Sequence, residues 1–161
     1  MEGNPMAWIE SHTHTLRHRK VANLARELRI RRSYAMGHLH SLWHVALEQQ
    51  EDGDLSSWSD EFIAESSDYS GDAPQFVQQL QRHGFLDGRL IHDWVDYAGK
   101  YLTSKYGGGT DRGRKILEAI WKKHGREYGA DAKQANRGVS RDAGVPRKSA
   151  ADRMRERLLQ E

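Results

Sequence analysis

The stretch from residue 52 to residue 94 limits the possible folds of this chain most, because signals for two helices and a hairpin follow closely there. A first short helix is predicted by the apolar residues Phe62, Ile63 and Ala64. Gly71 and Asp72 then turn the chain, and Pro74 suits the first turn of a second helix. The apolar residues of that helix recur at helical spacing, at Phe76, Val77 and Leu80.

The second helix is followed by a hairpin signal. Two apolar pairs, Phe85-Leu86 and Leu90-Ile91, flank Asp87-Gly88, which is the strongest short signal for a β-hairpin. Upstream, Leu55-Ser56 is an extended piece that could pair with this hairpin as a third strand. We therefore predict a mainly α fold with a small β-hairpin, a winged helix-turn-helix, followed by a basic and partly disordered C-terminal tail.

Apolar residues at helical spacing predict further helices on both sides of this unit. One runs from about His18 to Arg29, and a longer one, capped by Ser33, runs to about Gln50. After the hairpin, a helix is predicted by Trp94, Tyr97, Ala98, Tyr101 and Leu102. Three glycines follow at 107–109, so residues 1–106 are predicted to form the winged helix-turn-helix domain.

Residues 107–161 are predicted to be a glycine linker and a basic tail with one or two helices. A helix over 111–128 would bury a narrow stripe of Ile116, Leu117, Ile120 and Trp121. Residues 129–148 are rich in Gly, Ala and Arg with almost no large apolar side chain, which predicts disorder. Ser149 and Asp152 resemble a capping box for a short helix through Leu158.

The formal net charge of +2 hides a strong asymmetry along the chain. Residues 1–50 carry seven basic and four acidic side chains, and residues 104–161 carry fifteen and eight. Residues 51–103 carry only three basic side chains against eleven acidic ones, a net charge of −8. A basic tail favours contact with nucleic acid, whereas an acidic middle opposes the approach of phosphates.

A series of short motifs occurs in a recognisable order, namely Trp8-Ile9-Glu10, Gly37-His38-Leu39 leading to Leu42-Trp43, Asp52-Gly53-Asp54-Leu55-Ser56, Ile63-Ala64, Phe76-Val77 with Leu80, Gly84-Phe85-Leu86-Asp87 and Ile91-His92-Asp93-Trp94. In order and spacing they resemble the amino-terminal winged-helix domain of phage and prophage replication proteins, the replisome organisers and initiators related to DnaD. The resemblance covers about residues 7–105. It implies a role in DNA replication, with DNA binding or self-association by the winged domain. In that family a separate carboxy-terminal part contacts DNA or recruits the helicase loader, and that part is not recognisable here.

The second helix of the unit is the candidate for reading DNA. Because its apolar residues face the core, its outward side chains are the predicted contacts, namely Gln75, Gln78 and Arg82, with Gln79 on the flank. Glutamine can pair with adenine, and arginine with guanine, in the major groove. Arg89 lies beside the hairpin turn, where it is a candidate minor-groove or phosphate contact. Exposed glutamines can equally be solvated surface.

Two groups of cations are the candidates for phosphate contact. The first flanks the first helix and comprises Arg17, Arg19, Lys20, Arg29, Arg31 and Arg32. The second lies in the tail and comprises Arg112, Arg114, Lys115, Lys122, Lys123 and Arg126. Tyr106 and Trp121 could stack on unpaired bases, although Trp121 could also pack against a core.

Several other classes of protein are not favoured. The chain has no cysteine for disulfides or thiolate metal sites, no apolar run long enough for a membrane span and no export signal, so we expect a cytoplasmic protein without a membrane partner. His40 and His44 share a helix face, but no Glu stands between them as in a metalloprotease. His92-Asp93 has no accompanying nucleophile. We expect no metal ion, cofactor or catalysis.

DNA, duplex or single-stranded, is the expected partner, and two alternatives stay open. The acidic middle could dock a basic partner such as another replication protein, or a second copy of the chain. The same fold also serves transcriptional regulators, which the sequence does not separate from replication proteins.

Overall fold

The computed structural model describes residues 6–130, and one compact unit ends at Arg126. A second unit begins at Glu127. In the first unit, a 3-10 helix (Thr15–Arg17) precedes α1 (Arg19–Glu27), α2 (Arg32–Gln49), α3 (Asp60–Ser66), α4 (Ala73–Arg82), β1 (Leu86–Asp87), β2 (Leu90–Ile91), α5 (Trp94–Tyr106) and α6 (Asp111–Lys123). The prediction of a mainly helical chain with a small hairpin is confirmed. The predicted disorder and the helix near Leu158 fall, from residue 131 onward, outside the described residues.

The first two helices supply much of the core. Val21, Leu24 and Ala25 of α1 are buried. The buried residues of α2 are Ala35, Met36, Leu39, Leu42, Trp43, Ala46 and Leu47. Both helices were predicted, but the cap of α2 was not Ser33, which lies inside the helix. The N-cap is Arg31, because the amides of Tyr34 and Ala35 already donate to its carbonyl, at 3.0 and 3.1 Å.

Side-chain caps set the starts of α3 and α4. The hydroxyl of Ser59 accepts a hydrogen bond from the amide of Phe62 at 3.1 Å. The carboxylate of Asp72 likewise accepts from the amide of Gln75 at 2.7 Å, so α4 begins where the sequence predicts. The two helices pack on each other, with Ile63 and Phe76 fully buried.

The hairpin is antiparallel and pairs Leu86 with Ile91 and Asp87 with Leu90. The two turn residues are therefore Gly88 and Arg89, one position later than the Asp87-Gly88 signal suggests. A third segment joins the sheet through one bridge between Asp54 and Leu90. The amide of Leu55 donates to the carbonyl of Arg89 at 2.8 Å, but this contact is an isolated bridge and the sheet has two strands in the described residues, not the predicted three.

The turn before this third segment has room only for glycine. Gly53 has φ +68, and a Cβ there would lie 2.6 Å from Cγ of Trp94. The indole Nε1 of Trp94 in turn donates to the carbonyl of Glu51 at 2.8 Å. The close approach of the buried Trp94 thus places the segment that leads into α3.

The helix beyond the three glycines packs on α5. Leu117, Ile120 and Trp121 of α6 are buried, and a Cβ on Gly99 would lie 3.1 Å from the ring of Trp121. The predicted helix is present but ends at Lys123. The compact unit therefore extends twenty residues beyond the boundary predicted at residue 106, because the apolar stripe of α6 is buried against the domain.

Candidate nucleic-acid interface

The outward face of α4 presents three of the four side chains that the sequence places there. Gln75, Gln78 and Arg82 are exposed. Gln79 is only 7% exposed, and its Oε1 has no hydrogen-bond partner among the described residues. We therefore correct the prediction for Gln79, because a side chain on the flank of a helix is exposed only where no neighbouring element covers it.

Arg89 does not project from the hairpin as the sequence suggests. Its Nη2 donates to Oδ1 of Asp60 at the start of α3, at 2.6 Å, and one third of the side chain is exposed. Gln81 fastens the other side of the turn by donating to the carbonyl of Gly88 at 2.7 Å. The hairpin is thus drawn against α3 and α4, and its arginine is already paired.

A cleft of about 460 Å³ lies between α4 and the hairpin. Its polar lining consists of Asp60, Asp72, Gln75, Gln78, Gln81 and Arg89. Amide groups of glutamine can both donate and accept, as base edges require. For Arg89 to contact a phosphate, the phosphate must replace Asp60 as the partner of its guanidinium group.

Helix α1 lies alongside α4 and runs in the opposite direction. At one end, Nζ of Lys20 is 3.4 Å from the carbonyl of Gly84, just beyond α4. At the other end, Arg26 and Arg29 share a cleft of about 480 Å³ with Gln75 at the start of α4. Basic side chains of α1 therefore flank both ends of α4, an arrangement that the sequence does not reveal.

We call the shared surface the α1/α4 face, and its members are Arg17, Arg19, Lys20, Arg26, Arg29, Gln75, Gln78 and Arg82. None of its arginines forms an ion pair within residues 6–130. Arg31 and Arg32, at the start of α2, are also exposed and unpaired in this part of the chain. Beside them the ring of Tyr34 is 61% exposed, which suits stacking on a base. Arg29 was among the predicted phosphate contacts, whereas Arg26 and Tyr34 were not, since only their tertiary neighbours distinguish them.

The other side of α4 is acidic. Glu61, Glu65 and Asp68 line a cleft of about 370 Å³ beside α3, and we call it the acidic cleft. None of the three pairs with a cation in the described structure. Most other carboxylates of the −8 segment are neutralised. Glu51 pairs with Lys105, and Asp96 pairs with Arg126 at 3.1 Å. Three of the carboxylates of this segment that lack a Lys or Arg partner in the described structure are thus grouped beside α3.

The predicted contacts in and after α6 divide into two sets. Arg112, Lys115 and Lys122 are exposed. Arg114 pairs with Glu118 at 2.9 Å, and Arg126 pairs with Asp96. Lys123 is also paired, so half of these six cations already form intramolecular ion pairs.

Lys123 fastens α6 to the turn before α3. Its Nζ lies 2.6 Å from Asp52 and 3.0 Å from Asp54. Hydrogen bonds to these carboxylates raise the pKa of Lys123. Burial acts to raise the pKa of Asp52, but hydrogen bonds from Lys123, the Asp54 amide and Gln50 outweigh it and lower the pKa. For Asp54 the hydrogen bond from Ser56 is the main cause of a lowered pKa. We call this group the α6 clasp.

His40, His44 and His92 have structural partners. His40 and His44 stack with ring centroids 6.3 Å apart, and burial, followed by the charge of His44, lowers the pKa of His40. His92 lies 2.7 Å from a carboxylate oxygen of Asp87. Within residues 6–130, no group of three or more His, Asp or Glu residues is placed to hold a metal ion.

Comparisons of the chain with protein-family models, curated proteins and solved structures find no match. In the described part of the chain, every helix is too short or too polar to cross a membrane. The assignment of a function therefore depends on the geometry of the α1/α4 face.

Proposed function

We propose that this protein binds DNA through the α1/α4 face, with α3, α4 and the hairpin acting as a winged helix-turn-helix. The observation that carries the proposal is the unpaired cations of α1 at both ends of the exposed glutamines of α4. Cations that already have carboxylate partners gain little from a phosphate, because the partner must first be displaced. Those of α1 are free to replace condensed counterions.

In this mechanism the two parts of the face have different tasks. Arginines of α1 hold phosphates on both sides of a groove and supply most of the affinity. Gln75 and Gln78 meet base edges and supply limited discrimination, about 1 to 3 kcal/mol for each well-formed pair. Arg82, at the end of α4, provides a further phosphate contact. No catalytic step is part of the proposal.

The acidic segment is compatible with this role because of where its unpaired charge lies. Of its carboxylates without a Lys or Arg partner in the described structure, Glu61, Glu65 and Asp68 lie on α3 and in the following turn, Asp72 caps α4, and Asp87 and Asp93 contact His92. Glu61, Glu65 and Asp68 bias the duplex toward α1 and away from α3. Replication initiation is the process that we propose, on the resemblance to phage replication proteins, and residues 131–161 would add affinity through eight further cations.

A salt series on the full chain tests the proposal. We expect labelled duplex DNA to bind with a slope of log binding constant against log salt concentration steeper than about −4. Each neutralised phosphate contributes about 0.9 to this salt slope. Arg82→Gln should reduce that slope by about one unit. Arg114→Gln is the matched control, since it removes the same charge from a paired side chain, and it should change the slope less. Absence of binding at low salt, or equal effects of the two variants, would contradict the proposal.

A second candidate function is docking of a basic protein or a second copy of the chain in the acidic cleft. It is favoured by three unpaired carboxylates around one depression. Light scattering on the full chain would detect self-association. If the double variant Glu61→Gln/Glu65→Gln dissociated an oligomer without changing DNA affinity, the acidic cleft would serve to dock a protein and not to repel DNA.

A further inference from the structure

Two helices of this protein end in the same strained way. Arg29 follows α1 and Asp68 follows α3, and both have φ 55, in the left-handed region. In both, the next amide closes the helix: Ile30 donates to the carbonyl of Ala25 and Tyr69 to that of Ala64, each at 2.9 Å. This is the Schellman arrangement, in which glycine is the usual residue at the strained position.

The two residues tolerate that position differently. Aspartate is among the side chains that are enriched in the left-handed region, because its short polar chain can bond locally. Arginine has no such advantage. Within residues 6–130 the Arg29 side chain makes no hydrogen bond or ion pair, and it is exposed. Backbone hydrogen bonds hold this helix end, but no hydrogen bond or ion pair of the Arg29 side chain within residues 6–130 offsets the strain of a non-glycine residue there.

The side chain of Arg29 lies in a cleft at the start of α4. Arg29 lines the cleft of about 480 Å³ at the start of α4, together with Arg26, Glu27, Leu28, Tyr69 and Gln75. Two guanidinium groups, a phenol and an amide thus surround one space. Glu27 is its single carboxylate and is not paired with either arginine. A planar guanidinium matches an anion with two or more oxygens through paired hydrogen bonds.

We propose that Arg29, together with Arg26, holds a phosphodiester of the DNA backbone at the start of α4. The proposal rests on the proposed function, since it assigns the residue that fixes the register of α4 on DNA. Strain that is retained where glycine would relieve it is typical of functional positions. Phosphate binding by this unpaired cation, beside the candidate reading helix, accounts for an arginine in place of glycine at the strained position.

The test uses three variants of the full chain, with stability and DNA binding measured on each. Arg29→Gly should raise the Tm by about 3 to 6 °C, because it removes the left-handed strain. The same variant should weaken binding of a short labelled duplex about five- to tenfold near 0.1 M salt and reduce the salt slope by about 0.9. Arg29→Lys keeps the charge and should keep the slope.

Asp68→Gly is the matched control, because it relieves the same strain at the same helix position on the acidic side of α4. It should raise the Tm by less than Arg29→Gly does, because aspartate tolerates the left-handed region better than arginine, and it should leave DNA affinity unchanged or slightly higher. Should Arg29→Gly fail to fold, Arg29→Gln removes the charge without changing the backbone preference, and its salt slope then decides.

Three results would overturn the inference. If Arg29→Gly gains stability while affinity and salt slope stay at the wild-type values, Arg29 holds no phosphate, although the proposed function stands. If the wild-type chain binds no DNA in the same assay, the proposed function fails and this inference fails with it. Loss of affinity in both Arg29→Gly and Arg29→Lys, with an unchanged slope, would point to shape rather than phosphate contact and would also refute it.

Discussion

Helices α1 and α6 are both rich in cations, but they use them differently. The arginines of α1 have no carboxylate partners in the described structure, whereas Lys123 of α6 is clasped by Asp52 and Asp54 and Arg114 by Glu118. One helix presents its charge to a ligand, and the other uses part of its charge to hold the fold together. A count of Lys and Arg residues along a sequence therefore overstates the charge that is available to DNA.

The largest effect expected from this comparison concerns α6 as part of the fold. Trp121→Ala should lower the free energy of unfolding by about 3 kcal/mol, because a buried ring is lost from the contact with α5. Urea denaturation measures this. Trp8→Ala removes the same side chain from a 42% exposed position and should cost about 1 kcal/mol or less. A small effect at Trp121 would show that α6 is an appendage.

The next effect concerns α1 as a ligand-binding surface. Charge reversal of Arg17 and Arg19 to Glu should weaken duplex binding about 50- to 100-fold near 0.1 M salt, since two phosphate contacts are lost. Stability should change by less than about 0.5 kcal/mol, because neither side chain is buried or paired in the described structure. Anisotropy titrations and thermal unfolding give the two readouts. A large loss of stability would place these arginines among the structural cations.

A third prediction asks whether a paired cation can be released for binding. Asp60→Asn removes the carboxylate that holds Arg89, so that this arginine can reach a phosphate beside α4. We expect duplex affinity to rise about five- to tenfold and the salt slope to steepen by about one unit. Asp96→Asn releases Arg126 in the same way but away from the α4 cleft, and it should gain less. Unchanged affinity in Asp60→Asn would mean that Arg89 is purely structural.

The smallest expected effect is the pH dependence of the α6 clasp. Asp52 and Asp54 have lowered pKa values in the fold, so they stabilise it above the ordinary carboxyl pKa, and this contribution is lost as pH falls through the folded values. Lys123 has a raised pKa, so its contribution is present below the ordinary lysine pKa and is lost as pH rises through the folded value.

The measurement for the clasp is urea denaturation of the wild type and Lys123→Met. At pH 7 the variant should lose roughly 0.5 to 1 kcal/mol, a figure reduced for solvent screening because Lys123 is 40% exposed. The difference should shrink as pH falls through the lowered folded pKa values of Asp52 and Asp54, because their carboxyl groups then become protonated. A difference that stays constant from pH 7 to pH 2 would show that packing of the lysine stem, not charge, is what stabilises α6.

Most of the secondary structure could be predicted because its signals are local. Phe76, Val77 and Leu80 identify α4, and Asp72 and Pro74 identify its start. The hairpin was predicted to within one residue. The cap predicted at Ser33 was wrong, because the backbone carbonyl of Arg31 already accepts the first hydrogen bonds of α2. The compact unit continues past residue 106 because the apolar stripe of α6 is buried.

The candidate site was less predictable, because exposure and pairing depend on residues far apart in sequence. Lys123 meets Asp52 across 71 positions, and Arg89 meets Asp60 across 29. Gln79 and Gln78 are neighbours of the same type, yet one is buried and the other is exposed. Local patterns therefore suffice for the helices, the hairpin and the separation of charge along the chain. Which cations stay free to meet a phosphate is settled by packing, because a carboxylate from a distant segment can neutralise a charge only after the chain has folded.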